Sequence, residues 1–389
     1  MTLRRVLFWA HLAVGVCAGL VILTMSFTGV LLMYERQLIE WSDRAYRTSP
    51  TGAERLPIET LLARAAEQRP QQVPTAITLR ADRRAPAAIA FGQTTVYQDI
   101  YTGQLVGEPT TGVRRVMSEA RAWHRWLSLD GERRAVGKAI SGWSNLIFLF
   151  IVLSGMYLWI PRVGWRGVRA VALFRTGLRG KARDFNWHNV IGIWSAVPLA
   201  IIVATAAPIS FPWANALVYR IAGEAPPAPS APASRSNTAP RGERTARAAS
   251  TDGLNQLWAR AEQQVTGWRS INLRLAGLDE GPAVFAIDAG TGGQPQLRST
   301  LSLHRTTGEV VRWEPFAAQS AGRRLRSWTR FTHTGEYYGL AGQTVAGIAS
   351  AGAMVLVYTG LSLAFRRLVG WAARRRSVDR KDTPQSEAA

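Results

Sequence analysis

The sequence predicts a membrane protein, mainly α: a four-helix transmembrane bundle with two α+β domains outside it and an internal two-fold repeat. Three observations predict this. Four apolar runs are long enough to cross a bilayer, which takes about 20 residues. Lys and Arg crowd the short segments between and beyond those runs, and the order span, strand-bearing segment, span occurs twice.

Residues 1–34 hold the N-terminus and the first span, Val6 to Tyr34. "MTLRR" has the look of a signal-peptide n-region. The apolar run exceeds the 7–15 residues of a signal core, however, and no small-residue cleavage site follows "LLMYERQ", so it reads as a retained span. Residues 35–138 form the first outer segment. "LPIETLLARAAEQRP" has helical apolar spacing, and "TAITLRA", "AAIAFG" and "TTVYQDIYTGQLVG" read as strands with a hairpin turn at Thr102-Gly103. The segment ends in "WHRWL", with His124 shortly before the second span, 139–160. A basic loop, 161–187, leads to the third span, 188–213, where Pro198, Pro208 and Pro212 predict a bend.

Residues 214–338 repeat the outer pattern. A Pro/Ala/Ser/Arg linker, 223–251, has too little apolar surface to fold and is expected to be disordered. After it come a helix in "TDGLNQLWARAEQQV" and strands in "SINLRLAG", "AVFAID" and "STLSLHRTTGEVVRWEP", turning at Thr307-Gly308. The fourth span is 339–365 and the basic tail 366–389.

Charge sets the expected orientation. The N-terminus, the 161–187 loop and the tail hold 16 Lys/Arg against 4 acidic residues, whereas the two outer segments hold 31 against 22. Short Lys/Arg-rich segments stay in the cytoplasm. Both termini are therefore expected inside and both large segments outside, with the lipid bilayer as first partner. The net charge of +21 is explained by topology, and no nucleic-acid partner is called for. Cys17 is the only cysteine, so no internal disulfide can form.

The odd spans share His-x-x-x-Gly (His11 to Gly15, His188 to Gly192), and the even spans share "SGMYL" at Ser154 and "TGLSL" at Thr359. The two outer segments, ending in "VYQDIYTGQLVG" and "LSLHRTTGEVV", resemble PepSY domains. "WHRWL…GWSNLIFLFIVLSGMYLWIPR" and "FTHTGEYYGLAG…YTGLSLAFRR" resemble the PepSY-associated transmembrane family, whose members include inner-membrane ferric-siderophore reductases. The resemblance implies two periplasmic PepSY-like domains and haem b held in a four-helix bundle. It also implies electrons from the cytoplasmic side and an iron chelate outside.

The histidines carry a reading of their own. One histidine at a helix edge reads first as an interfacial polar side chain. Here four of five, His11, His188, His124 and His333, each sit at the edge of a span. With the expected topology, His11 and His188 lie near the inner face, and His124 and His333 near the outer face. Bis-imidazole ligation of haem iron needs two histidines at one depth on different helices, so two haems b are expected, one per pair. A structural zinc would want four ligands together. Gly15 and Gly192, four residues on from a histidine, lie on its helical face and would clear room for a porphyrin; close helix packing accounts for such glycines equally. Gly339 and Gly342 would do the same above His333, while His124 has Ser128 at that offset. His304 reads as a surface turn residue. The many flanking aromatics, Trp143, Trp159 and Trp213 among them, read as interfacial belts. Arg323, Arg324, Arg326 and Arg330, just before His333, would attract an anionic ligand or haem propionates, or are a solvated basic stretch.

No nucleotide fingerprint, Walker loop or HExxH occurs, and "DAGTGGQPQ" at Asp288 has the wrong spacing and reads as a turn. The electron donor would then be a quinol or a cytoplasmic reductase, and the substrate a ferric siderophore. Two other classes remain: a membrane-anchored PepSY module regulating a protease or peptide partner, and an iron-chelate permease.

Overall fold

The computed structural model describes residues 1–49, 54–160, 165–227 and 250–379. In chain order the helices are α1 Leu3–Met33, α2 Glu35–Ser42, α3 Ile58–Gln68, α4 Thr111–Trp126, α5 Arg133–Trp159, α6 Trp165–Ala172, α7 Gly180–Ser210, α8 Pro212–Ile221, α9 Leu254–Gln264, α10 Ala321–His333 and α11 Gly339–Asp379. The strands are β1 Ala76–Arg80, β2 Ala87–Phe91, β3 Thr94–Gln98 and β4 Leu105–Gly107, then β5 Ser270–Arg274, β6 Ala283–Asp288, β7 Arg298–Leu303 and β8 Val310–Pro315.

Four helices, α1, α5, α7 and α11, are long and apolar enough to cross a membrane. They close a ring in which α1 packs on α5 and α11, and α7 packs on the same two. At one end Arg4 donates to the carbonyls of Leu158 (2.6 Å) and Ile160 (2.9 Å), capping α5, and Arg367 of α11 lies over Phe8 and Trp9. This end holds the start of α1 and the later turns of α11. At the other end Gln343 donates to the Met33 carbonyl (2.5 Å), and here the chain passes into the sheet.

The helices outrun the predicted spans. α5 starts at Arg133, α7 at Gly180, and α11 continues to Asp379. Hydropathy marks the length that can sit in lipid, and a helix can extend beyond it with charged residues. Pro198 and Pro208 lie inside a continuous α7; the break comes at Phe211, and Pro212 starts α8 at a position where its missing N–H costs nothing. Most of the linker predicted at 223–251, residues 228 to 249, falls outside the described residues, as do 380–389 of the tail.

The two outer segments do not form separate bodies. Their strands make one eight-stranded antiparallel sheet in the order β4-β3-β2-β1-β5-β6-β7-β8. β1 and β5 join the halves, from Ala76 opposite Arg274 to Arg80 opposite Ser270. Both strands bury alternate residues in the same pattern, so pairing their open edges puts Ile77, Leu79, Ile271 and Leu273 on one face. An exposed strand edge is a ready template for such pairing. α3 and α9 contribute Leu61, Leu62, Leu257 and Trp258 to the same core, which also buries Ile89, Phe285 and Leu301. The two helices cap each other: Glu59 N–H donates to Asn255 Oδ1 (3.2 Å) and Asn255 N–H to Glu59 Oε1 (3.1 Å).

Sheet and bundle are tied through Asp43, which follows α2. Its carboxylate accepts from Arg114 of α4 (2.6 and 2.9 Å), from the Tyr97 hydroxyl of β3 (2.7 Å) and from the Thr110 N–H (3.2 Å). Burial pushes the Asp43 carboxyl up, but the hydrogen bonds from Arg114 and Tyr97 outweigh it and hold the group below its ordinary value. Burial and the same carboxylate push Tyr97 up to about 12. A second tie joins Arg36 to Glu336 (2.5 Å), beside the loop that contains Gly292 and Gly293.

Candidate functional site

The four candidate histidines come together as two pairs at opposite ends of the bundle. His11 is on α1 and His188 on α7, each eight residues into its helix. Both line a single cavity of ≈ 790 Å³ between the four spans. That volume lies within the usual range of small-molecule and cofactor sites. His124 is in the last turn of α4 and His333 ends α10, and their ring centres are 6.2 Å apart. Two imidazoles bound on opposite sides of one metal, each nitrogen about 2 Å from it, would have ring centres about 6 Å apart. The His124–His333 pair thus stands on two short helices beside the bundle; α4 packs on α1 and α5, and α10 on α7 and α8.

The hydrogen bonds set the tautomers. His11 Nδ1 is 2.9 Å from Ser154 Oγ, and His188 Nδ1 is 3.0 Å from Thr359 Oγ1. Each hydroxyl already donates to its own helix: Ser154 to Ile151 O (3.2 Å) and Thr359 to Val355 O (2.8 Å). The oxygen therefore accepts, and Nδ1 carries the proton. At the other end His124 donates to Met25 O (3.0 Å), close to Thr28 Oγ1 (3.1 Å), and His333 donates to Ile202 O (2.8 Å). In all four rings the lone pair is on Nε2, which makes no protein hydrogen bond among the described residues. A neutral imidazole oriented through Nδ1–H, with Nε2 free, is the form that ligates a metal.

The spacing is the same on both sides of the bundle. His11 and Met25 are 14 residues apart on α1, and His188 and Ile202 are 14 apart on α7. At 1.5 Å per residue, the two sites are about 21 Å apart along the bundle.

Room at the His11–His188 site comes from both helix sets. Gly15 and Gly192 line the cavity; a Cβ on Gly15 would meet nothing within 4 Å, and one on Gly192 only Leu356, at 3.7 Å. The glycines that face the rings are on the opposite helices. A Cβ on Gly155 would be 3.3 Å from His11 Cε1, one on Gly360 3.3 Å from His188 Cε1, and one on Gly29 3.4 Å from His124 Cε1. The two spans' Ser-Gly and Thr-Gly pairs were legible as a shared motif, but not as the histidines' partners. A hydroxyl holds Nδ1, and the next residue lacks the side chain that would crowd the ring.

Two expectations do not survive. Ser128 is not four residues along a helix from His124, because α4 ends at Trp126 and both Leu127 and Ser128 are left-handed, at φ 53° and 54°. Ser141 instead closes that turn by donating to Arg125 O (2.7 Å). Gly342 opens no space above His333; it packs on the Gly335 carbonyl, while Gly339 adopts φ 65° beside Gln294. His304 sits in its hairpin and accepts from Thr307 N–H (3.2 Å). Of the arginines before His333, Arg326 donates to Asn215 Oδ1 (2.6 Å) and leaves one buried guanidinium nitrogen unpartnered, while Arg330 lies 5.5 Å from the Phe331 ring centre.

Asp184 had no role in the sequence reading. It is 1% exposed, one helical turn before His188, and its carboxylate takes Arg183 (2.9 Å), Ser362 (2.8 Å) and Arg366 (3.7 Å), clamping α7 to α11. Among the described residues no three His, Cys, Asp or Glu side chains gather into a metal cluster, so any metal here would rest on imidazole pairs.

Residues 8–367 match the family described as the PepSY-associated TM region. No curated protein matches the chain.

Proposed function

The chain belongs to the PepSY-associated transmembrane family, and on that premise we propose that it is a di-haem b oxidoreductase of a bacterial inner membrane. In this reading it carries electrons from a quinol or a cytoplasmic reductase to ferric siderophore on the sheet side. The end holding the start of α1 and the later turns of α11 is the cytoplasmic one, and the sheet, made of two PepSY-like halves related by the internal repeat, is periplasmic. The observation that carries the reading is the pairing itself: one histidine pair on α1 and α7, and a second, on α4 and α10, anchored to α1 and α7 at matched heights 14 residues further along.

Haem held between such a pair supplies reversible one-electron transfer without leaving the protein. The chain's own residues do the rest. His11 and His188 offer Nε2 into a cavity whose deep wall is apolar, with Ser154 and Thr359 fixing their rings. His124 and His333 stand 6.2 Å apart, ring centre to ring centre, at the sheet end of the bundle, held by carbonyls of the very helices that carry His11 and His188. Reduction suits iron release, because hard oxygen ligands grip Fe(III) more tightly than the softer Fe(II).

Purified protein from haem-replete cells should show a reducible b-type spectrum with about two haems per chain by pyridine haemochrome, one per histidine pair. A folded, colourless preparation would remove the reading. The reduced protein should be reoxidised by ferric hydroxamate siderophores in right-side-out spheroplasts and not by an impermeant one outside inverted vesicles. Equal rates from both sides, or no reoxidation, would leave the regulatory PepSY module as the better account.

A further inference from the structure

The cavity that holds His11 and His188 is not uniform along its length. Its deep wall is Ile22, Val152, Leu199 and Ala353, all buried and apolar. Its mouth, at the end where the chain starts, carries Arg5, Lys181 and Arg367. Among the described residues no acidic side chain lines it. Arg4, also at the mouth, is engaged with the carbonyls of Leu158 and Ile160. Arg367 is held in place by the rings of Phe8 (5.1 Å) and Trp9 (4.7 Å), which orients its guanidinium without neutralising it. Arg5 and Lys181 form no ion pair among the described residues. One basic residue from each of α1, α7 and α11 thus surrounds the open end of an apolar slot.

We propose that this rim is a carboxylate site. Arg5, Lys181 and Arg367 hold the acid groups of an amphiphilic macrocycle, whose apolar edge then points towards Leu199 and Ala353 and whose acidic edge faces the end of the bundle holding the chain's start. The inference rests on the di-haem reading and adds an orientation to it. The alternative occupant of a basic rim at a membrane surface is the headgroup of an anionic lipid.

The test separates the two and separates both from the reading beneath them. The full chain carrying His124→Ala, which leaves only the His11–His188 pair, is purified from haem-starved cells in uncharged detergent. It is titrated with iron mesoporphyrin and, separately, with its dimethyl ester, following the low-spin Soret band. The free acid should bind about 10-fold or more tightly than the ester, the scale of one charge-assisted hydrogen bond. In R5Q/K181Q/R367Q that ratio should fall towards one through loss of acid affinity alone. Should the triple variant not fold, Arg5→Gln and Lys181→Gln, both at exposed positions, each carry part of the same loss.

Equal affinities for acid and ester in the parent chain would overturn the proposal and leave the di-haem reading standing. Equal loss of both ligands in the rim variants would overturn it too, as the rim would then only support the fold. Competition of the free acid by phosphatidylglycerol, at the concentration of a native membrane, would assign the rim to lipid. No Soret shift with either porphyrin would sink the underlying reading instead.

Discussion

The two ends of the bundle hold their histidines by different means. At the end where the chain starts, His11 and His188 lie on spanning helices, and side-chain hydroxyls on the neighbouring spans, Ser154 and Thr359, hold their Nδ1 atoms. At the sheet end His124 and His333 lie on short helices outside the ring of spans, and backbone carbonyls of α1 and α7 hold them. A hydroxyl can be removed by one substitution; a carbonyl cannot. A helix carbonyl is already bonded within its own ladder and takes a second donor only through its remaining lone pair. Thr28 and Thr205, whose hydroxyls donate back to their own helices, sit just where His124 and His333 meet carbonyls of α1 and α7. Ser/Thr back-bonding of this kind bends helices, which suits a carbonyl left accessible to a second donor.

The largest effects should follow from removing a ring. His11→Ala and His188→Ala are each expected to remove the same haem, and His124→Ala and His333→Ala the other, so that every single variant retains about half of the haemochrome absorbance. Double variants within a pair should look like the singles, while one from each pair should be colourless. A pattern that links His11 with His333 would break the comparison at its root.

A smaller, one-sided effect is expected from the holding groups. Ser154→Ala with Thr359→Val should weaken haem retention at the His11–His188 site by about 10–100-fold, the scale seen when the group orienting a ligating histidine is lost. Haem transfer to an apo-acceptor protein would measure it. Thr28→Val at the sheet end should change retention by no more than about 3-fold, since the Met25 carbonyl still accepts from His124. Similar losses at both ends would mean that hydroxyls and carbonyls hold the rings equally.

The smallest effect reaches one site through the sheet. Asp43 braces α4, which carries His124, by binding Arg114 and Tyr97. Its pKa lies below its ordinary value in the folded chain, so the stability it contributes is present above about pH 4 and is lost as pH falls through the lower, folded value. Asp43→Asn should remove about 1–2 kcal/mol at neutral pH and flatten the acid limb of the denaturation profile. Its redox titration should shift only the sheet-end component. A matching shift at the His11–His188 site would show that the two ends are not independent.

The sequence alone marked the spans, the strands and the helices α3 and α9, but not α4 and α10, which carry His124 and His333. Four long apolar runs read as membrane helices, because lipid offers no partner to an unbonded backbone and a helix bonds its own. The strand and helix stretches predicted in both outer segments lie where the structure has β1 to β8, α3 and α9, since alternation and turn glycines are local signals. The histidines stood out by count and position, and their grouping into two pairs follows once the spans run antiparallel. Only the tertiary structure decided the rest. Whether two four-stranded halves stay apart or pair through β1 and β5 depends on a match of edges some 190 residues apart in the chain, which no local pattern encodes. The roles of Ser154, Thr359, Gly155, Gly360 and Asp184 depend equally on which helix faces which. A hydroxyl or a glycine has no function until rotation about the helix axis presents it to a particular imidazole, and that rotation is set by packing of the whole bundle.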